Sequence, residues 1–360
     1  MFTIPQPRDF SEPRDVSEPP SLSARAAKQQ AIAKRGSADF SSVLPQVAYL
    51  GPEGTFSHAA ALQVTGSVPV PYPTAPAVLA AVRNGQVESG VIAVENTVEG
   101  PVVAAVDGLL AAGDLAAVQE IVVPITFNAY TARRISADSP ELSQAVAHPH
   151  GLAQVRGYIA GHGWQEIPAD SNAAAIRDLA EHQVAFGADI CGDLYGRYVL
   201  AAAVEDFPGA LTRFLVLLRR EAAVARLAEL KRELGTEHGT PPWRSLVAVI
   251  PMETGPGVLA RVTKQFGQRG INMSSLISRP LKAQTGKYAF ILTMDAAPWE
   301  PRCRALLADL LSAGDAVKTL GVWLADTAHS SAGGVLTESL PPGSATGADD
   351  AATLGLALLW

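Results

Sequence analysis

QVAYLGPEGTFSHAAALQVT, residues 46–65, reads as a strand, a glycine loop and a helix in succession. QVAYLG (46–51) is short and apolar, as a buried strand is, and TFSHAAALQVT resumes at helical spacing. The same grammar repeats outward. Thr74 caps a helix with Pro76 at its second position, and AVLAAVRNG runs from there to a glycine stop at Gly85. VIAVE (91–95) is another apolar strand, followed by a loop and helix-like PVVAAVDGLLAAG (101–113). Asp114 to Tyr130 is extended; then come AVAH (145–148), a helix over 150–161, WQEI (164–167), a helix over 172–182 behind Ser171, VAFGA (184–188) and TRFLVLLRR (212–220). Strands interleaved with helices predict an α/β domain with mostly parallel sheets over 46–220. A run of about 170 residues suffices for one large lobe or for two lobes around a cleft.

Residues 221–244 are a connector: EAAVARLAELKREL places Val224, Leu227, Leu230 and Leu234 at helical spacing, and GTEHGTPPWR (235–244) breaks all regularity. A different unit fills 245–325. SLVAVIP is a strand; GVLARVTKQFGQR is a helix with Val258, Leu259, Val262 and Phe266 on one face; INMSSLISRP and KYAFILTMD are strands joined at KAQTG (282–286). PRCRALLADLLSAG is a helix and AVKTLGVWL a last strand, so the order is the ferredoxin-like βαββαβ. Residues 1–45, with PRDFSEP repeated imperfectly as RDVSEPP, and residues 326–360, rich in Ser, Gly, Pro and Asp, read as flexible tails.

Composition narrows the function classes. Of 360 residues 18% are charged and 48% hydrophobic, which is globular rather than disordered. Residues 46–220 hold nine Arg, no Lys and 17 Asp plus Glu, a local net charge of −8, so no nucleic-acid surface is expected there. No apolar run approaches the ~18 residues that a membrane helix needs, and the first 45 residues lack the apolar core of a secretory signal. Cys191 and Cys303, with no CxxC or HxxxH spacing, argue against a disulfide framework or structural zinc and point to a reducing cytoplasm.

Three motifs carry candidate chemistry. Gly51-Pro52-Glu53-Gly54-Thr55-Phe56-Ser57 sits between a strand and a helix, where free N–H groups attract anions; a tight turn capped by Thr55 or Ser57 is the plainer reading. Glu95-Asn96-Thr97-Val98-Glu99-Gly100-Pro101 follows an apolar strand, at the end that lines the crevice of an α/β sheet; a cap of the next helix by Asn96-Thr97, with Pro101 in its first turn, is the other reading. Thr212-Arg213-Phe214 opens an apolar strand, where an Arg must face an anion or an acid: it either grips a carboxylate or forms a structural salt bridge. The histidines, His58, His148, His150, His162 and His182 in this region, show no metal-ligand spacing.

In this order the motifs resemble those of the prephenate dehydratase family over about residues 46–325. GPEGTFSHAA is similar to its opening loop, VIAVENTVEG to its Glu-Asn-Ser/Thr loop, AHPHGLAQ (147–154) to its Ser-His-Pro-Gln segment, DSNAAA (170–175) to its Ser/Thr-rich helix start and TRFLVL to its Thr-Arg-Phe strand. PGVLARV through INMSSLISRP resembles the ACT regulatory domain. The resemblance implies two α/β lobes of periplasmic-binding-protein type with a cleft between them, an ACT domain behind, and a dimer or tetramer. It implies a carbon–oxygen lyase that turns prephenate into phenylpyruvate, carbon dioxide and water in phenylalanine biosynthesis, with no metal or organic cofactor. Thr212, Arg213 and Asn96 take the catalytic places, and Gly54, Thr55, Glu95, Thr97, Gln154, Ser171 and Phe214 the substrate-binding ones. Gly257, Val258, Leu259, Ser278, Arg279 and Pro280 fall where L-phenylalanine would bind.

Three departures stand out. Ala147 replaces the family's Ser, His150 its Gln, and Ile277 the Glu before Ser-Arg-Pro. Forty-five Pro-rich residues upstream leave no room for a helical chorismate mutase, so a monofunctional enzyme is expected. The alternatives are arogenate dehydratase, a non-aromatising prephenate decarboxylase, and a non-catalytic amino-acid-sensing protein.

Overall fold

The computed structural model describes residues 44–234, 242–281 and 286–325; the expectations for both tails, for the break at 235–241 and for the turn at 282–285 lie outside the described residues. The chain divides into two compact units, Met1–Ala117 with Val123–Val224, and Val118–Val122 with Ala225–Trp360.

The first unit has two lobes. One holds β1 (Gln46–Leu50), α1 (Phe56–Ala61), β2 (Val68–Tyr72), α2 (Ala75–Arg83), β3 (Ser89–Asn96), β4 (Gly100–Pro101) and α3 (Val103–Ala111). After β5 (Leu115–Pro124) the chain builds the other: β6 (Asn128–Thr131), β7 (Gln144–Ala147), α4 (Pro149–Gln154), α5 (Arg156–His162), β8 (Gln165–Pro168), α6 (Asn172–Arg177), β9 (Gln183–Gly187), α7 (Ile190–Tyr195) and β10 (Tyr198–Ala201). β11 (Leu211–Arg219) returns to the first lobe, and α8 (Arg220–Leu234) follows. The two crossings between lobes are tied together, Ile125 N–H to Ala210 O at 2.8 Å and Val204 N–H to Phe127 O at 2.9 Å.

The first lobe's strands lie in the order β11-β3-β1-β2, with β4 on β3, and the second lobe's in the order β10-β6-β9-β7-β8. β1 runs parallel to β2 and β3, and β7 to β8 and β9, while β11, β4, β6 and β10 pair antiparallel. The sheets are thus mixed rather than mostly parallel. A parallel neighbour needs a helical crossover, whereas β6 and β11 enter their sheets directly from the other lobe.

Local chemistry explains the elements. Thr74 Oγ1 accepts from Ala77 N at 3.2 Å and starts α2. That helix buries Val78, Leu79, Ala81 and Val82 on β3, which admits it because residue 90 is Gly: a Cβ there would lie 2.7 Å from Val82 Cγ2 and 3.0 Å from Val78 Cγ1. β2, which no periodicity announces, carries Pro69 and Pro71, and it is a sheet edge, where a missing N–H is tolerated. The helix expected over 150–161 is two helices broken at Val155 (φ −126°). Asp206, distant in sequence, donates its N–H to Gln154 O at 2.7 Å and accepts Gly157 N–H on its carboxylate at 3.0 and 3.1 Å, so it starts α5 anew.

Tyr49 is wholly buried, and its hydroxyl has no hydrogen-bond partner among the described residues. Burial pushes its phenol well above the usual range. An unpaired buried hydroxyl costs about 1–3 kcal/mol. Tyr49→Phe is therefore expected to stabilise the chain by about 1 kcal/mol, read as a higher urea midpoint; a clear loss of stability would reveal a partner for the hydroxyl.

The second unit carries β12 (Trp243–Ile250), α9 (Val258–Gln268), β13 (Met273–Pro280), β14 (Tyr288–Met294), α10 (Pro301–Ser312) and β15 (Ala316–Leu324). Its order β13-β14-β12-β15, antiparallel throughout, is ferredoxin-like. Val262 and Phe266 of α9 and Cys303, Leu306 and Leu310 of α10 pack on Val247, Val249, Leu292 and Met294. Leu227, Leu230 and Leu234 of α8 cover Trp243, Ala297 and Val322. Val224 and Leu259, expected on apolar faces, are 62% and 41% exposed. Among the described residues no helix is long and apolar enough to cross a membrane.

Candidate active site

β11 pairs with β3 so that Thr212 lies opposite Asn96 and Arg213 opposite Glu95. Strand alternation sends the two pairs to opposite faces. On one face, Asn96 Oδ1 accepts from Val98 N at 2.8 Å and Glu99 N at 2.9 Å, so the turn after β3 orients the amide. Its Nδ2 then donates to Thr212 Oγ1 at 2.8 Å. The Thr212 oxygen is thereby an acceptor, and its own proton is left to point elsewhere. Thr212 and Gln154 are both buried, and with Asn96 they line a cavity of about 460 Å³. Glu99, His150, Asn172, Phe56 and Phe127 complete the parts of that wall that bear on chemistry.

His148 caps α4: its Nδ1 accepts from His150 N at 3.3 Å, and its own N–H donates to Asn172 Oδ1 at 2.9 Å. Burial, and next the neighbouring His150, push the His148 imidazole below its ordinary value, against the pull of Asp170.

A second cavity, of about 750 Å³, lies between the Gly51–Ser57 loop and Asp170–Asn172, and Phe56 and Asn172 line both cavities. Gly54, Thr55 and Ser171 gather here. Thr55 Oγ1 accepts from His58 N at 3.2 Å and Ser171 Oγ from Ala174 N at 3.0 Å, each starting a helix. Gly54 N–H donates to His58 Nδ1 at 3.0 Å, and that ring stacks on Tyr49 with centroids 4.9 Å apart. The loop is held to α7 by the Cys191 thiol on Gly54 O at 3.0 Å and the Tyr195 hydroxyl on Glu53 O at 2.6 Å. Burial pushes the Cys191 thiol up to about 12.

Four expected site residues line neither cavity: Glu95, Thr97, Arg213 and Phe214. Arg213 Nη1 meets Glu95 Oε2 at 2.6 Å, which is the salt-bridge alternative of the sequence analysis. Thr97 holds the start of β11, its N–H on Leu211 O and its Oγ1 accepting from Leu211 N, both at 2.9 Å. Phe214 is buried in the core. Conversely, Glu99, His150 and Asn172 reach the cavity although no role was expected of them; only their places beside Asn96, Pro149 and Ser171 in the motifs hinted at it.

The family model of prephenate dehydratase matches residues 47–222. A prephenate dehydratase of Amycolatopsis methanolica is 34% identical over 284 residues, which is 77% of this chain and 88% of that relative. The chain belongs to the prephenate dehydratase family. Solved prephenate dehydratases agree in fold. The Arthrobacter aurescens enzyme, crystallised in complex with L-Phe, is 29% identical with a TM-score of 0.67, over 78% of this chain and 90% of its own. That of Staphylococcus aureus is 26% identical with a TM-score of 0.65, over 77% and 99%. Prephenate dehydratases are carbon–oxygen lyases, and the candidate site lies in the part of the chain that the family model matches.

In the second unit a cavity of about 620 Å³ is lined by Gly257, Val258 and Leu259 at the start of α9, together with Glu253, Tyr288 and Phe290. Ser278, Arg279 and Pro280 do not line it; they lie on β13, where Ser278 and Pro280 pair with Phe290 and Tyr288. Among the described residues no group of three or more His, Cys, Asp or Glu is placed to hold a metal.

Proposed function

We propose that the chain converts prephenate to phenylpyruvate, carbon dioxide and water in the cavity of Thr212, Asn96 and Gln154. The orientation of Thr212 carries the reading. The carboxylate on the quaternary ring carbon leaves as carbon dioxide, its bonding electrons move through the ring, and hydroxide leaves from the para position. One proton is taken up to make water. Hydroxide departs poorly unless it is hydrogen-bonded or protonated. Asn96 donates to Thr212 Oγ1, so the Thr212 proton is available to the departing oxygen. Gln154 is available to a polar group of the substrate, and Phe56, packed edge-on against Phe127 with ring centroids 5.5 Å apart, offers the ring an apolar wall. Turnover of prephenate, followed by phenylpyruvate absorbance with and without phenylalanine, is the test; arogenate run alongside reports substrate preference. No product from either substrate would refute the reading.

The second unit is proposed as an ACT regulatory domain that takes L-phenylalanine at the cavity of Gly257, Val258 and Leu259. Free N–H groups at the start of α9 suit the carboxylate of an amino acid, and Phe290 and Tyr288 offer the ring an apolar wall. The complex of the Arthrobacter aurescens enzyme with L-Phe supports this reading. Pairing of two such units into a dimer or tetramer, and a cytoplasmic location, belong to the same proposal.

Arg213 is assigned to support the site rather than to bind substrate, because Glu95 occupies its guanidinium on the face away from Thr212. Arg213→Ala is expected to lower stability with KM almost unchanged. A double-mutant cycle with Glu95→Ala should return a coupling of about 1 kcal/mol, since the pair is partly solvated. A KM raised tenfold with an unchanged urea midpoint would instead make Arg213 a substrate ligand.

A further inference from the structure

Prephenate carries two carboxylates, yet of the residues lining the Thr212 cavity Glu99 is an acid and only His150 can be a cation. Residues 46–220 contain no Lys, and Arg213 lies outside the lining. A dianion beside a carboxylate is unfavourable in a partly desolvated site unless a positive charge faces it. On the reading of this cavity as the prephenate site, we propose that protonated His150 receives one of the substrate carboxylates.

The surroundings of His150 fit that task. Its backbone N–H is taken by His148 Nδ1 at 3.3 Å, and the two rings meet edge-on with centroids 5.2 Å apart. His148 is held toward its neutral form by burial and by its neighbour, with Asp170 opposing. Of the two histidines only His150 lines the Thr212 cavity. Glu99, from the turn after β3, places Oε2 3.9 Å from His150 Nδ1, with the two side chains 68% (His150) and 37% (Glu99) exposed. That pair is loose and solvated, worth little by itself. A substrate carboxylate can displace Glu99 from the imidazolium and make a shorter, charge-assisted hydrogen bond. His148, Glu99 and Asp170 are the titratable groups that bear on the pair.

A charge-assisted contact to a substrate carboxylate acts mainly on binding, so its loss should raise KM for prephenate while kcat changes less. In His150→Gln, KM should be about tenfold higher, as expected for loss of one charge-assisted contact. His150→Lys, which carries a positive charge, should keep KM low. Circular dichroism and urea midpoints of both variants check the fold, and the exposure of His150 makes either substitution tolerable. If His150→Gln kept the parent KM while both proteins turned prephenate over, the proposal would be overturned and the dehydratase reading would stand. If the parent chain did not turn prephenate over, that reading would fail and the proposal with it.

Discussion

Thr212→Ala is expected to turn prephenate over about 10²–10⁴ times more slowly than the parent, the usual effect of losing one positioned proton donor. In activation free energy that is about 3–5 kcal/mol. Stability should fall by only about 1 kcal/mol, the worth of the hydrogen bond from Asn96. Thr212→Ser keeps the hydroxyl and should stay within about tenfold of the parent. The direction of the Asn96–Thr212 bond supplies a sharper test. In Asn96→Asp, one carboxylate oxygen can still accept from Val98 and Glu99, as Asn96 Oδ1 does. The other would then accept the Thr212 proton instead of donating to its oxygen. The hydroxyl would be present but turned away, so Asn96→Asp should lose rate on the scale of Thr212→Ala with little change in KM. A Thr212→Ala chain with the parent rate would remove Thr212 from the mechanism. A fully active Asn96→Asp chain would show that the direction of the bond is immaterial.

Gly54→Ala is expected to destabilise the first unit twice over, through backbone strain and through crowding. Gly54 has φ +82°, and a Cβ there would meet Cys191 Sγ at 3.0 Å, Tyr195 Cε2 at 3.1 Å and Ala173 Cβ at 3.4 Å. The left-handed backbone costs an alanine about 1–2 kcal/mol, and crowding adds about 1–3 kcal/mol. Urea denaturation should therefore show a loss of roughly 2–5 kcal/mol. Relief of the crowding separates α7 from the loop, which breaks the thiol contact on Gly54 O and the hydroxyl contact on Glu53 O. Cys191, buried and held as a thiol in the parent, should then react with a thiol reagent under native conditions. A Gly54→Ala chain with the parent urea midpoint and an unreactive Cys191 would show that the loop absorbs the methyl group without parting from α7.

Local signals determined a good deal. The caps at Thr74 and Ser171 are decided within three residues, because a hydroxyl accepts from an N–H one turn ahead. Apolar runs such as VIAVE and LVAVI had to be buried strands, and the βαββαβ order of the second unit follows from periodicity alone. Motif order was enough to gather Asn96, Gln154 and Thr212, which meet in one cavity although 116 positions separate Asn96 from Thr212. Partner choice was a different matter. That Arg213 meets Glu95 depended on the β3–β11 register, a non-local pairing that set Glu95 opposite it and turned both away from Thr212. The break at Val155 depended on a carboxylate supplied by Asp206, and the mixed sheets on strands arriving from the other lobe. Residue types and short-range hydrogen bonds determine which elements form. Which face of an element a side chain occupies, and which distant group meets it there, is decided by strand register and lobe packing, and these exist only in the tertiary structure.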